Sequence, residues 1–148
     1  MKQIEKFIPR NEDISKLGSI KEILNKNVVS KSGHPMGKVK DVLFNDKGVK
    51  GIIGKKKLIK YYVDSSFFSS SEKNIMLSID PVLLLLGKEV FDADGKKLGK
   101  VKGVIRDNDT NSFKTLIVKR KLYSRKQKIP KADIKVSKKN IILNKKYG

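Results

Sequence analysis

The sequence predicts a mainly β protein: two small β-barrels in tandem, each entered by a short helical lead-in. Three observations point there. The chain repeats itself, its strand-like segments are short and closely spaced, and glycines recur where ribbons must turn.

The repeat comes first, because it governs how every local motif is read. Residues 19–42 (SIKEILNKNVVSKSGHPMGKVKDV) align with residues 81–104 (PVLLLLGKEVFDADGKKLGKVKGV) at an offset of 62, and nine of the 24 paired positions are identical. Gly33/Gly95, Gly37/Gly99, Val28/Val90, Val39/Val101 and Val42/Val104 carry the match. At an offset of 66, EKNIMLS (72–78) aligns with KKNIILN (138–144). The second copy therefore holds four more residues, expected in RDNDTNSF where the first has NDKGV. The division that follows is an N-terminal extension (1–18), a first repeat (19–80) and a second repeat (81–148).

Within each copy the elements follow in order. Ser19 with Glu22 forms a capping-box pattern ahead of Ile20, Ile23 and Leu24, and Asp80-Pro81 precedes the apolar run PVLLLL. Each lead-in is expected to form a helical turn, with Ile20, Ile23, Leu24 and residues 83–86 helping to bury the join between barrels. NVVSKSG and EVFDADG then run into turns at Ser32-Gly33 and Asp94-Gly95, where glycine accepts a positive φ. MGKVKDVLF and LGKVKGVIR read as alternating strands. VKGIIG and SFKTLIVKR follow as the most β-branched segments, and KLIKYYV, KLYSRKQKIP, NIMLSI and NIILN close the copies. Five or six short strands in about 60 residues best avoid exposed edges by curling into a small barrel.

None of the motifs that suggest chemistry completes its pattern. GHPMGK (33–38) has three residues between its glycines and Val39 after its lysine. A phosphate-binding loop needs four, then a Ser or Thr for the metal. DADG (92–95) is followed by cations rather than the oxygen ligands of a calcium loop. His34 is the single histidine and sits in a turn without an acid or base partner in the sequence. There is no cysteine, which removes disulfides, thiolate metal sites and thiol nucleophiles. No cofactor, metal or catalytic residue is expected, and the chain reads as a non-enzyme.

Charge supplies the remaining signal. The formal net charge is +20, from 35 Lys and Arg against 15 Asp and Glu, which favours anionic partners: nucleic acid, an anionic membrane face or an acidic protein. Residues 81–148 hold 19 basic and 6 acidic side chains, residues 19–80 hold 12 and 6. Two patches interleave cations with tyrosine: Lys55, Lys56 and Lys57 with Tyr61 and Tyr62, and Lys119, Arg120 and Lys121 with Tyr123. They are the candidate partner-binding residues. For RNA, their rings would stack on bases while the cations hold phosphates. The longest apolar run, residues 82–86, is far short of the roughly 20 residues of a spanning helix, and the N-terminus lacks a secretory signal, so a cytoplasmic location is expected.

The stretch GKEVFDADGKKLGKVKGVI (87–105), followed by KIPKADIKVSKKNIIL (128–143), resembles a PRC-barrel domain through Gly87, Val90, Gly95, Gly99, Val101, Ile129 and Pro130. Such small β-barrels are found in the H subunit of photosynthetic reaction centres and in a bacterial ribosome-maturation factor. The first copy departs from the pattern at Asn25, which stands where Gly87 does, and at Asp64, which stands where Pro130 does. The resemblance implies a docking module for other proteins. Lys-rich tandem forms resemble archaeal PRC-barrel proteins that associate with one another and with SepF, the membrane anchor of the FtsZ ring. The implied partners are thus a cell-division protein such as SepF or another PRC-barrel protein, including a homo- or hetero-dimer, at a division site near the membrane. The ribosome-factor relatives imply RNA or ribosome contact instead.

Overall fold

The computed structural model describes residues 4–108 and 110–147. The chain forms two compact units, one ending at Ile79 and the other beginning at Asp80. The fold is mainly β, and each unit is one six-stranded sheet curled into a half-barrel.

In the first unit the strands are β1 (Asn27–Val29), β2 (Pro35–Asn45), β3 (Gly48–Lys56), β4 (Ile59–Asp64), β5 (Phe68–Ser70) and β6 (Asn74–Leu77). In the second they are β7 (Glu89–Phe91), β8 (Lys97–Arg106), β9 (Phe113–Lys119), β10 (Gln127–Pro130), β11 (Ile134–Ser137) and β12 (Ile141–Leu143). The sheet orders are β4-β3-β2-β1-β6-β5 and β10-β9-β8-β7-β12-β11, the same topology twice. The first and last strands of the series pair in parallel, β1 with β6 and β7 with β12, while all other ladders are antiparallel.

The cores repeat with the strands. Val28, Met36, Val39, Ile52, Val63, Ile75 and Leu77 are buried in the first unit; Val90, Leu98, Val101, Leu116, Ile129, Ile141 and Leu143 are buried at the matching positions of the second. These residues define the inner face of each half-barrel, and their burial is the main apolar driving force for each unit. The plain alternation expected for the long strands is not what forms. Along β2 the buried residues are Met36, Val39 and Val42, a spacing of three. Register shifts between Val39 and Asp41 in β2, and between Val101 and Gly103 in β8, insert one extra residue each, so the next inward side chain arrives a position late. Phe44, near the end of β2, lies in water at 69% exposure.

The helical lead-ins form, each with its own chemistry. Ile20–Ile23 is a single helical turn (α1), whose N-cap Ser19 accepts from the Lys21 N–H at 3.3 Å. Val82–Leu85 is a 3-10 turn. Asp80 does not cap it. The Asn111 side chain does so from the β8–β9 loop, accepting from Val82 N–H at 2.9 Å and donating to the Asp80 carbonyl at 3.0 Å. Leu85 and Leu86 then pack on the core of their own unit. Residues 4–18 hold a 3-10 turn, Ile14–Lys16, capped by Asp13.

The departures from the family pattern turn out to keep the backbone. Asn25 has φ +68° and Gly87 has φ +85°, both left-handed, a region asparagine tolerates better than other residues with a side chain. Asp64 (φ −65°, ψ 149°) and Pro130 (φ −63°, ψ 147°) both open a 3-10 turn. Proline sets that φ through its ring, and Asp64 reaches it by accepting from the Ser66 N–H and hydroxyl at 3.0 and 2.6 Å.

The four extra residues of the second copy are not all in one place. Ladder register puts Leu43 opposite Gly51 and Ile105 opposite Thr115, so two of them enter the β8–β9 loop. Gly54 lies opposite Tyr61 and Val118 opposite Gln127, so the other two enter the β9–β10 connection. Both insertions sit in loops, where added length costs little closure entropy.

Gly37 and Gly99 carry the tightest backbone approach in their units. Both have positive φ, and a Cβ would stand 1.9 Å from the Lys55 carbonyl oxygen at Gly37 and 2.2 Å from that of Lys119 at Gly99. Gly33 also has positive φ (+86°) but faces open space. Gly37→Ala or Gly99→Ala is therefore expected to destabilise by more than about 2 kcal/mol in urea unfolding of the full chain, against about 1 kcal/mol for Gly33→Ala. Equal effects would show that the close approach is not what requires glycine.

Candidate functional site

Register also decides which parts of the two cationic patches correspond. Lys38 pairs with Lys55 and Lys100 with Lys119. Lys119 is therefore the structural counterpart of Lys55, and the cationic runs KKKL (55–58) and KRKL (119–122) start at the same point of the ladder, the second opening a connection two residues longer. Both segments are hairpin tips. In the first, Lys55 and Lys56 end β3, Lys57 turns the chain at φ +55°, and Leu58 projects at 92% exposure. In the second, Lys119 ends β9, Arg120 and Lys121 are exposed, and Leu122 (75%) and Tyr123 (96%) lie in water. The second tip is tied internally: Lys121 N–H donates to Ser124 Oγ at 3.1 Å, and Ser124 N–H returns to the Lys121 carbonyl at 3.0 Å.

The three tyrosines do not act alike. Tyr61 faces inward from β4. Its ring covers Gly54, where a Cβ would meet the ring at 2.3 Å, and its hydroxyl donates to the Met36 carbonyl at 2.6 Å. Burial pushes its phenol up to about 12. Tyr61 thus positions β2 against β4, with its ring laid over Gly54 and its hydroxyl engaged. Tyr62 points to the outer face, over Gly51, and donates to the Lys50 carbonyl at 3.0 Å. Tyr123 alone of the three is unencumbered. The open depression beside Tyr61 and Tyr62, about 420 Å³, is lined by Lys40, Lys60 and Asp41 together, so it has no single electrostatic sign.

Leu58 and Leu122 are absent from the residues expected from sequence. The signal was present: each follows a run of three cations at the same point of the repeat. An apolar residue in so basic a stretch reads as a strand position until the register shows that it sits at the tip.

A second feature has no sequence signature. Asp133, 8% exposed, accepts from the Tyr147 hydroxyl, and Lys145 Nζ lies 3.2 Å from its other oxygen. Its carbonyl accepts from Asn144 N–H at 2.8 Å. The hydrogen bond from Tyr147 is the main cause that holds the Asp133 carboxyl below the usual carboxylate range, with Lys145 adding to it against the opposing effect of burial. Buried Asp92 anchors the same chain end. Burial alone would raise its carboxyl, yet the N–H groups of Lys96, Tyr147 and Asp94 bring it below its ordinary value. Ser30 fills the place of Asp92 in the first unit, accepting from His34 N–H at 3.0 Å. Both residues serve the β-turn before the long strand, which accounts for DADG without a cation.

Among the described residues, no group of three His, Cys, Asp or Glu side chains gathers as a metal set, and no helix is long and apolar enough to cross a membrane. What the molecule presents is surface: curled sheets with decorated hairpins, the form of a small β-barrel binding module. Residues 84–148 match the family model of the PRC-barrel domain, and the second unit is a member of that family. The first unit has the same strand order, consistent with a tandem of one small β-barrel fold. No curated protein matches the chain.

The Asp133–Tyr147 pair gives a pH test. A lowered Asp133 pKa adds stability above the ordinary value near 3.9, and that contribution is lost as pH falls through the folded pKa. Burial and the Asp133 contact push the Tyr147 phenol up to about 12, so its contribution is lost as pH rises from about 10 through that value. Tyr147→Phe should raise the Asp133 pKa in carboxyl NMR titration and make unfolding begin at higher pH on the acid side. An unmoved Asp133 pKa would remove Tyr147 as its main stabiliser.

Proposed function

We propose that this chain is a non-enzymatic protein–protein adaptor that captures a partner with its two cationic hairpin tips. The observation that supports it is the repetition of one arrangement in both units: three cations followed by a leucine in water. Lys55, Lys56 and Lys57 with Leu58 form one contact set. Lys119, Arg120 and Lys121 with Leu122 and Tyr123 form the other. Cations steer an acidic partner, and the apolar tips supply the contact that survives salt. Two like sites on one chain add effective concentration when the partner is itself multivalent. The resemblance to archaeal tandem PRC-barrel proteins gives the finer reading: a partner in the cell-division machinery, SepF or another PRC-barrel protein, at the division site near the membrane.

A second reading is contact with RNA or an assembling ribosome. The net charge of +20, concentrated over 81–148, and the free ring of Tyr123 favour it. Phosphate-driven binding falls steeply as salt rises, whereas contact through an apolar tip does not.

The Leu58→Ser/Leu122→Ser double variant should fold normally, since both side chains are exposed and such changes stay within about 0.5 kcal/mol each. Affinity for purified SepF or a second PRC-barrel protein should fall at least tenfold, and native-lysate capture of the same partner should persist after nuclease. Unchanged affinity in the double variant would refute capture by the tips. Recovery of ribosomal components alone, and only before nuclease, would transfer the function to RNA.

A further inference from the structure

We infer that the second unit carries an anion-binding groove that receives a short acidic segment of the partner protein. The inference rests on the adaptor reading; the groove adjoins the second tip and shares Arg120 with it, but neither Leu58 nor Leu122 lines it. The groove holds about 270 Å³. Lys96 and Lys97 form one wall, from the β7–β8 turn and the start of β8; Arg120, Ser124 and Arg125 form the other, from the β9–β10 connection. Leu98, Gln127 and Tyr147 complete it. Four of these eight residues are cations and none is acidic.

The nearby carboxylates are already committed. Glu89 pairs with Lys97 at 3.0 Å. Asp133 is held by Tyr147 and Lys145, and Asp92 accepts from backbone N–H groups. Lys96, Arg120 and Arg125 take part in none of the four salt bridges found among the described residues. The guanidinium charges of Arg120 and Arg125 are left for a ligand, while Lys96 also acts on the Asp92 carboxylate. The walls are also preorganised: Ser124 and Lys121 close a turn within the β9–β10 connection, and Asp133 fixes Tyr147.

The repeat shows that the fold does not need this groove. At the matching end of the first unit, Tyr61 lies across Gly54 and reaches the Met36 carbonyl. In the second unit Gln127 and Val118 stand at those two positions, and Gln127 lines the groove. The connection that supplies Arg120, Ser124 and Arg125 is the one lengthened by two residues. The second unit therefore differs from the first where it gains a cationic concavity.

The shape chooses the occupant. The cavity is one short depression, sized for a few side chains, whereas a nucleic-acid backbone needs a longer track of cations with free rings beside it. Tyr147 packs its ring on the core and engages its hydroxyl with Asp133. Guanidinium forks of two arginines match carboxylates, and Leu98 and Tyr147 suit an apolar residue between them. A second copy of a chain of net charge +20 is a poor occupant.

The test uses the full chain and a fluorescein-labelled six-residue peptide of alternating Glu and Leu, read by fluorescence anisotropy at about 0.15 M salt. Arg125→Glu should weaken binding at least tenfold. Lys135→Glu, the same change of charge on β11 at the other edge of the sheet, should weaken it less than twofold, with both variants unchanged in far-UV circular dichroism. Equal losses would reduce the effect to net charge and overturn the groove, as would no loss in Arg125→Glu. A uridine decamer that binds more tightly than the peptide and depends on Arg125 would assign the groove to RNA and overturn the acidic-segment inference. The Leu58→Ser/Leu122→Ser variant should retain peptide binding. If it also retains the partner while Arg125→Glu loses the peptide, the tips fail and the groove stands; if it loses the partner while Arg125→Glu keeps the peptide, the groove fails and the tips stand.

Discussion

The close passage of one strand against the next at Gly37 and Gly99 is the constraint on which the rest of each unit hangs. A carbonyl of the neighbouring strand occupies the space of a side chain, so the long strand can bend there and carry its inward residues around a curve. Without the bend, Met36 and Val39, or Leu98 and Val101, would not share one inner face, because an unbroken strand turns residues three apart to opposite sides. The following bulge repeats the device for Val42 and Val104. Curvature, core and hairpin ends are thus set together. The lysines whose carbonyls make the close approach, Lys55 and Lys119, also begin the cationic tips.

Because the backbone is so constrained, side chains have changed freely wherever another chemistry reaches the same angles. Asn25 does the work of Gly87, Asp64 that of Pro130, and Ser30 that of Asp92. In each pair the backbone conformation or hydrogen bond is kept. The weaker likeness of the first repeat to the family pattern is a difference of residues, with strand order and core retained.

This bears on what the sequence reveals. Strand number and turn glycines were legible because they are encoded locally, by positive φ and by apolar spacing. The alternation expected along MGKVKDVLF was misleading because a bulge is a property of two strands; the sequence of one shows only valines three apart, which fits more than one structure. The capping of Val82 by Asn111 was hidden for a like reason: the partner lies 29 residues away. At the candidate site, the cations were legible as composition. Tyr61 and Tyr123 looked equivalent until register placed one under the sheet mouth and the other at a tip. Leu58 and Leu122 became visible only when the two tips could be laid on each other.

The two units divide labour between what must be kept and what can vary. Core positions tolerate little change in volume, since a close-packed interior registers even a methylene. Loops accept insertion at small entropic cost and are where binding groups accumulate on a rigid scaffold. The lengthened β9–β10 connection obeys that rule. It leaves the Val118–Gln127 ladder intact, adds cations beyond it, and borrows rigidity from Ser124 on one side and the anchored Tyr147 on the other. A duplicated unit can vary one copy in this way while the other retains the tyrosine-closed form, which is how a repeat with one fold comes to present two different surfaces.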